Sequence, residues 1–443
     1  MEILLIIVFV VGYLFIAFEH PLRLDKTVPA LLMGVILWMI ISLKGLPTLV
    51  EGESADLESS LLHHVGSIAE ILVFLLSAMT IVELVDLHKG FSIITDRIST
   101  RSKRQLMWLV AAIAFFLSAV LDNLTTTIVM VSLLRKLVDD DKERIWFASL
   151  VVIAANAGGA WSPIGDVTTT MLWIGHKVSS FSLIEHLFIP SVLCILVPLF
   201  VLGRTKVMQG TLKPAAASDG NDEEARLLSS RTMLIAGVGG LIFVPIFKVL
   251  THLPPFMGIL MSLGVVWLIS EYIHPEEDFD GTRKNKNLYS MKKALSRVEF
   301  SSILFFLGIL LAISALETVA VKGPDGESLG MLHHFALQIN NVFPSENIVA
   351  LILGFLSAIV DNVPLVAAVM GMYQEPMDHS IWHFIAYTAG TGGSMLIIGS
   401  AAGVAAMGME HIDFLWYLRK IAWLAMLGYL AGAAVYLFLE VGF

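Results

Sequence analysis

Apolar positions in this chain fall into blocks long enough to cross a bilayer, at roughly 2–18, 27–43, 67–87, 145–174, 186–203, 231–248, 255–273, 299–320, 381–407 and 413–440. A hydrocarbon core about 30 Å thick needs roughly 20 apolar residues in a helix, so each block predicts a transmembrane span. The first block starts without a basic lead or a small-residue cleavage site and reads as a span, not a removed signal. Two further blocks, 105–137 and 345–374, are broken midway by Asp122-Asn123 and Asp361-Asn362. The pieces that remain, about 15 residues each, are too short to span comfortably. They predict re-entrant hairpins, whose polar tips are tolerated at membrane depth only when buried in protein or facing water.

The two tips lie in near copies of one phrase, Phe116-Leu-Ser-Ala-Val-Leu-Asp122-Asn123 and Phe355-Leu-Ser-Ala-Ile-Val-Asp361-Asn362. Duplicated halves with a polar break in each are a mark of secondary transporters. The sequence therefore predicts an all-α polytopic membrane protein of two repeats. Each has three spans, a hairpin, an unwound span (145–174 or 381–407) and a final span, about ten spans and two hairpins in all. The first repeat covers 1–203, a solvated cytoplasmic linker 204–230, and the second repeat 231–443.

Charge orients the array. With the N-terminus outside, the inside loops 19–26, 88–104, 135–144, 204–231, 274–297 and 408–420 hold 24 of the 28 Lys and Arg, leaving Lys44, Lys177, Lys248 and Lys322 outside. That split is what the positive-inside rule demands. Five crossings per half make the second repeat inverted, place both termini extracytoplasmic, and bring the hairpin tips together near the midplane from opposite sides. Segments 88–104 and 321–344 read as interfacial, and the 44–66 loop and the paired histidines His63-His64 and His333-His334 as external.

Composition agrees: 56% of residues are hydrophobic and 15% charged, against about 25% charged in soluble domains. The net charge of −10 is concentrated in a few loops and no basic tail is present, so nucleic-acid binding is unsupported. A single cysteine, Cys194, excludes an internal disulfide or a thiolate metal site.

A second pair of matching phrases follows the hairpins. It runs from Asn156 through Gly158, Gly159, Trp161, Ser162, Pro163, Gly165 and Asp166 in one half, and from Thr388 through Thr391, Gly392, Gly393, Ser394, Gly399 and Ser400 in the other. Such Gly- and Pro-rich stretches cannot hold a regular helix. Unwinding leaves carbonyls and helix C-termini that suit a cation, and N-termini that suit an anion. The side chains decide: Asp122, Asp166 and Asp361 supply three carboxylates, and no intramembrane Lys or Arg answers them. A carboxylate at the bilayer centre costs roughly 2.5–3.5 kcal/mol even on a lenient scale, which points to a site. Plain alternatives stand beside this reading. Any of the three aspartates is able to cap a helix, Asn156 to bond between helices, and Thr126 to bond back to its own helix.

Leu121-Asp122-Asn123-Leu-Thr-Thr126-Thr, Val360-Asp361-Asn362-Val-Pro364 and Ser162-Pro-Ile-Gly-Asp166 resemble the motifs of the ion transporter superfamily, and most closely of NhaD-type sodium/proton antiporters. The resemblance implies an elevator-type carrier, homodimeric, in the cell inner membrane, exporting Na⁺ or Li⁺ against protons without a resident cofactor. The candidate cation and proton site gathers Asp122, Asn123, Thr126, Asn156, Gly158, Gly159, Ser162, Asp166, Asp361, Asn362, Thr391, Gly392 and Ser394, with Asp122, Asn123, Asp361 and Asn362 as Na⁺ or Li⁺ ligands. The rivals are a transporter of the same fold moving an anion, carboxylate or arsenite, and an intramembrane aspartyl protease. The protease would need paired aspartates but not repeated hairpins.

Overall fold

A backbone in lipid must satisfy its own hydrogen bonds, and apolar blocks of this length accordingly fold as helices. The computed structural model describes residues 2–441 apart from 18, 51–52, 96–97, 99, 213–228, 274–289, 323–327, 343–344 and 360. Seven described helices are long and apolar enough to cross a membrane. They are Thr27–Lys44, Leu57–Leu87, Ser180–Gly203, Ser229–Thr251, Pro255–Ile273, Phe300–Thr318 and Ala422–Val441. Leu32, Val249, Leu250 and Leu268 lie exposed on their outer faces, a surface that suits lipid and not water. The chain is an all-α polytopic membrane protein in class, with two short two-stranded sheets, Thr48–Val50 with Glu53–Ala55 and Ala320–Lys322 with Ser328–Gly330, beside the helices.

The interrupted blocks break where expected. The first hairpin block forms Lys103–Ser118 and Asn123–Leu137, and the second Glu346–Ser357 and Asn362–Met372. The unwound spans form Asp141–Gly159 with Val167–Ile174, and Ser380–Gly392 with Ala401–Glu410. From Phe147 to Gly159 and from Ile381 to Gly392 every residue is buried. Both broken helices therefore run through the protein interior.

Some expectations need correcting. The helix of the third predicted span begins at Leu57, before residue 67, because Asp56 caps it through Ser59 N at 3.2 Å; His63 and His64 are helical, not loop residues. His333 and His334 lie in the helix Met331–Val342. The block 413–440 divides at Ile421 into Phe414–Lys420 and Ala422–Val441. Within the linker, residues 213–228 lie outside the described residues, but Leu212 N bonds Arg101 O at 2.8 Å.

Equivalent elements of the two halves make equivalent contacts. Thr27–Lys44 packs on Phe300–Thr318 as Pro255–Ile273 packs on Leu57–Leu87, and the last spans, Ser180–Gly203 and Ala422–Val441, pack on each other. The halves also exchange parts. Ala401–Glu410 lies against Asn123–Leu137, and Val167–Ile174 against Asn362–Met372. Glu410, almost wholly buried, accepts from Arg135 Nε at 2.7 Å and Arg144 Nε at 2.5 Å, fastening the first exchange at its far end.

Candidate functional site

Each polar break starts a helix. Asp122 accepts from Thr125 N at 2.8 Å, Asp166 from Thr168 N at 2.8 Å, Asp361 from Val363 N at 3.3 Å and Ser400 from Gly403 N at 3.1 Å. The capping reading thus holds for all three aspartates. It does not exhaust them. The positive end of each of these three half-helices is already answered by a carboxylate, which leaves little to attract an anion.

Asp166 is the centre. It is 2% exposed and receives both hairpin tips. Asn123 Nδ2 donates to its Oδ2 at 2.6 Å, and Asn362 Nδ2 lies 3.4 Å from each of its oxygens. Thr168 Oγ1 donates to Oδ1 at 2.7 Å. Asn123 also donates to Asn156 Oδ1 at 3.0 Å, and Asn156 Nδ2 donates onward to Ser394 Oγ at 2.8 Å and Ser400 Oγ at 2.9 Å. One polar chain therefore joins both hairpins and both broken helices. Asp122 and Asp361 lie within coulombic range of Asp166. The two tips differ in backbone: Asp122 takes φ 150° and ψ 163°, a region that costs a residue bearing a Cβ about 1–3 kcal/mol. Its carboxylate holds that shape through Thr125, whose hydroxyl donates to Oδ2 at 2.7 Å.

The glycines act by close approach. A Cβ on Gly158 would overlap the Phe115 carbonyl oxygen, and one on Gly392 the Gly354 carbonyl oxygen, at matching points of the two hairpins. Both glycines are still helical; unwinding starts after Gly159 and Gly392. The carbonyls of Gly159 and Gly392 accept from Ser162 N and Met395 N. These glycines therefore seat the hairpin arms. Ser162 Oγ donates to Ala119 O at 2.5 Å and Thr391 Oγ1 to Tyr387 O at 2.6 Å, bonds that fasten loop and helix. Thr126 is fully buried, and its hydroxyl finds no partner among the described residues.

One expectation is overturned. A base does answer one of the three carboxylates: Lys26 Nζ lies 2.8 Å from Asp361 Oδ2. Both line a cavity of about 1060 Å³, together with Glu19, Arg23, Glu83, Thr125, Arg297, Glu299 and Ser400. Its rim residues belong to loops that the charge count places inside. Sequence reasoning also left Ser400 and Thr168 out of the site. Ser400 was findable, because Gly399-Ser400 occupies the place of Gly165-Asp166 in the repeat. Lys26 carried no such signal.

The profile of the citrate transporter family (CitMHS) matches residues 13–392. Sodium/proton antiporter 1 of Arabidopsis thaliana is 46% identical over 98% of this chain and 72% of its own length. The Na(+)/H(+) antiporter NhaD of Alkalimonas amylolytica is 30% identical over 98% of this chain and 90% of its own. Among solved structures, the YdaH transporter of Alcanivorax borkumensis shares the fold, with a TM-score of 0.56 at 13% identity, covering 95% of this chain and 99% of that one. These relatives are transporters, not enzymes, and the network at Asp166 sits on their scaffold. The chain belongs to the NhaD-type sodium/proton antiporters, within the wider citrate transporter family.

Proposed function

We propose that the protein exchanges cytoplasmic Na⁺ or Li⁺ for external protons, by moving the two hairpins and broken helices as a unit against the remaining spans. The observation that carries this reading is Asp166, a buried carboxylate where the amides of both hairpin tips meet. The proposed ligands are the carboxylates of Asp166, Asp122 and Asp361, the amide oxygens of Asn123 and Asn362, and the Thr126 hydroxyl. Lys26 is the one observation that favours an anion. Its ammonium is occupied, however, and the cavity lining carries Glu19, Asp25, Glu83, Glu299 and Asp361 against Arg23, Lys26 and Arg297, an excess of acid that repels anions and concentrates cations.

Exchange needs no direct contact between the two cargoes. A carboxylate that binds sodium releases its proton, and one that is protonated releases sodium. In everted vesicles with an internal pH dye, Na⁺ and Li⁺ are expected to collapse the proton gradient while K⁺ and Ca²⁺ do not. The apparent KM for Na⁺ should fall as pH rises and protons stop competing. Active exchange with a pH-independent KM means separate sites for the two ions, and a gradient collapsed by citrate but not by Na⁺ selects the anion reading.

The same reading has the positive loops on the cytoplasmic side and an inverted second half. With Cys194 replaced, a cysteine at Arg101 should react with an impermeant maleimide from the cytoplasm, and one at Lys322 from outside. Reaction of the Arg101 position from outside rejects the orientation.

A further inference from the structure

We propose that Lys26 is a tethered cation that competes with sodium for Asp361, holding the empty carrier in place until sodium displaces it. The inference rests on the antiporter reading and concerns the same site.

The ion pair joins two parts of the fold. Asp361 sits at the second hairpin tip, beside the Asp166 network. Lys26 immediately precedes the helix Thr27–Lys44, which packs on Phe300–Thr318 so closely that a Cβ on Gly34 would lie 2.7 Å from the Gly308 carbonyl oxygen. The backbone at Lys26 is fixed from its next residue: Thr27 Oγ1 donates to Ser301 O at 3.0 Å, and Thr27 N to Asp25 Oδ1 at 2.8 Å. The ammonium also lies 4.6 Å from the centre of the Phe305 ring. A rigid seat thus presents a single positive charge to one of the three carboxylates. Among the described residues neither Asp122 nor Asp166 has a basic partner.

Lys26 occupies Asp361 Oδ2, and Val363 N lies on Oδ1. A sodium ion on this carboxylate would stand next to the ammonium, and two positive charges at such spacing repel. One must leave. The lysine is attached, and its effective concentration at Asp361 does not depend on solution conditions. Sodium reaches the same carboxylate through the cavity, whose lining offers Glu299 to the released ammonium. The pair also bridges the moving unit and the spans that stay. An unloaded carrier is therefore fastened, and loading with sodium unfastens it.

Sodium binding to the purified full-length protein, measured by calorimetry at one alkaline pH, tests the competition. Lys26→Met should bind sodium about two- to fivefold more tightly than wild type, the range expected for removing a partly buried ion pair discounted for solvent screening; Lys26→Arg should stay near wild type. A role in packing alone predicts weaker or unchanged binding. A second readout needs no substitution: acylation of Lys26 by an amine-selective reagent, followed by mass spectrometry, should rise in NaCl relative to choline chloride. Unchanged or weaker binding by a monodisperse Lys26→Met protein overturns the proposal, and so does equal acylation in the two salts. If Lys26→Met is not monodisperse, the acylation result decides alone. Wild-type protein that binds no sodium at all removes the antiporter reading itself, a different failure.

Discussion

Asp166→Asn is expected to insert, purify and move no sodium. The substitution keeps the shape of the side chain, and Asn caps a helix as well as Asp, so the bond from Thr168 N survives. What is lost is the charge that orders the amides of Asn123 and Asn362. Hydrogen bonds to a charged group are worth about 1.5–3 kcal/mol each. Losing even one such bond's worth of cation affinity, at about 1.4 kcal/mol per decade, weakens sodium binding roughly ten- to hundredfold. Exchange in everted vesicles should accordingly fall to background, with normal expression and a normal elution profile. Asp166→Ala should add a stability loss of about 1 kcal/mol from the missing cap. An Asp166→Asn protein that exchanges sodium at near the wild-type rate would reduce Asp166 to a capping residue.

The second large effect concerns assembly. Gly158→Ala and Gly392→Ala each add a methyl group where a hairpin carbonyl already sits, Phe115 in one half and Gly354 in the other. The obstacle is backbone and cannot rotate away. Overpacking of this kind costs about 1–3 kcal/mol, occasionally more, and both variants should lose thermal stability in detergent by similar amounts. Gly66 and Gly264 are helical glycines with open space around the position of a Cβ. Their alanine variants should be neutral or up to about 1 kcal/mol more stable, from helix propensity alone. Equal stability across all four variants would show that the close approach at Gly158 and Gly392 is not needed.

Much of this architecture is legible in the sequence, and the reasons are local. Spans follow from the length of apolar blocks. The interruptions of the blocks 105–137 and 345–374 follow from Asp122-Asn123 and Asp361-Asn362, which no continuous lipid-facing helix would carry. The breaks follow from Gly158-Gly159 and Gly392-Gly393, although the helices run to the end of those pairs before unwinding. Contacts between distant residues were not legible. Lys26 and Asp361 are 335 positions apart, and counting charges assigns a lysine to a side of the membrane without saying how far its four-carbon stem reaches. The prominence of Asp166 over its two companions was likewise hidden, because a Gly-Asp at a helix start looks the same whether or not two asparagines converge on it. The early start at Leu57 was masked by His63, His64 and Glu58, which read as loop until Asp56 is seen to cap them.

The exchange of half-helices between the two halves of the chain bears on how the protein is made. Asn156 is placed in the membrane with the first repeat, yet the hydroxyls that take its amide hydrogens, Ser394 and Ser400, are translated more than two hundred residues later. Asp166 likewise waits for Asn362. Until then the nascent first half holds a carboxylate that lacks one of its donors and an amide nitrogen whose acceptors do not yet exist, and unmatched polar groups in hydrocarbon are costly. The proposed ion site is thus a late product of biosynthesis. A ribosome-bound intermediate ending near Gly203 carries the chemistry of the site without its closure, and the insertion machinery must shelter that half until its counterpart arrives.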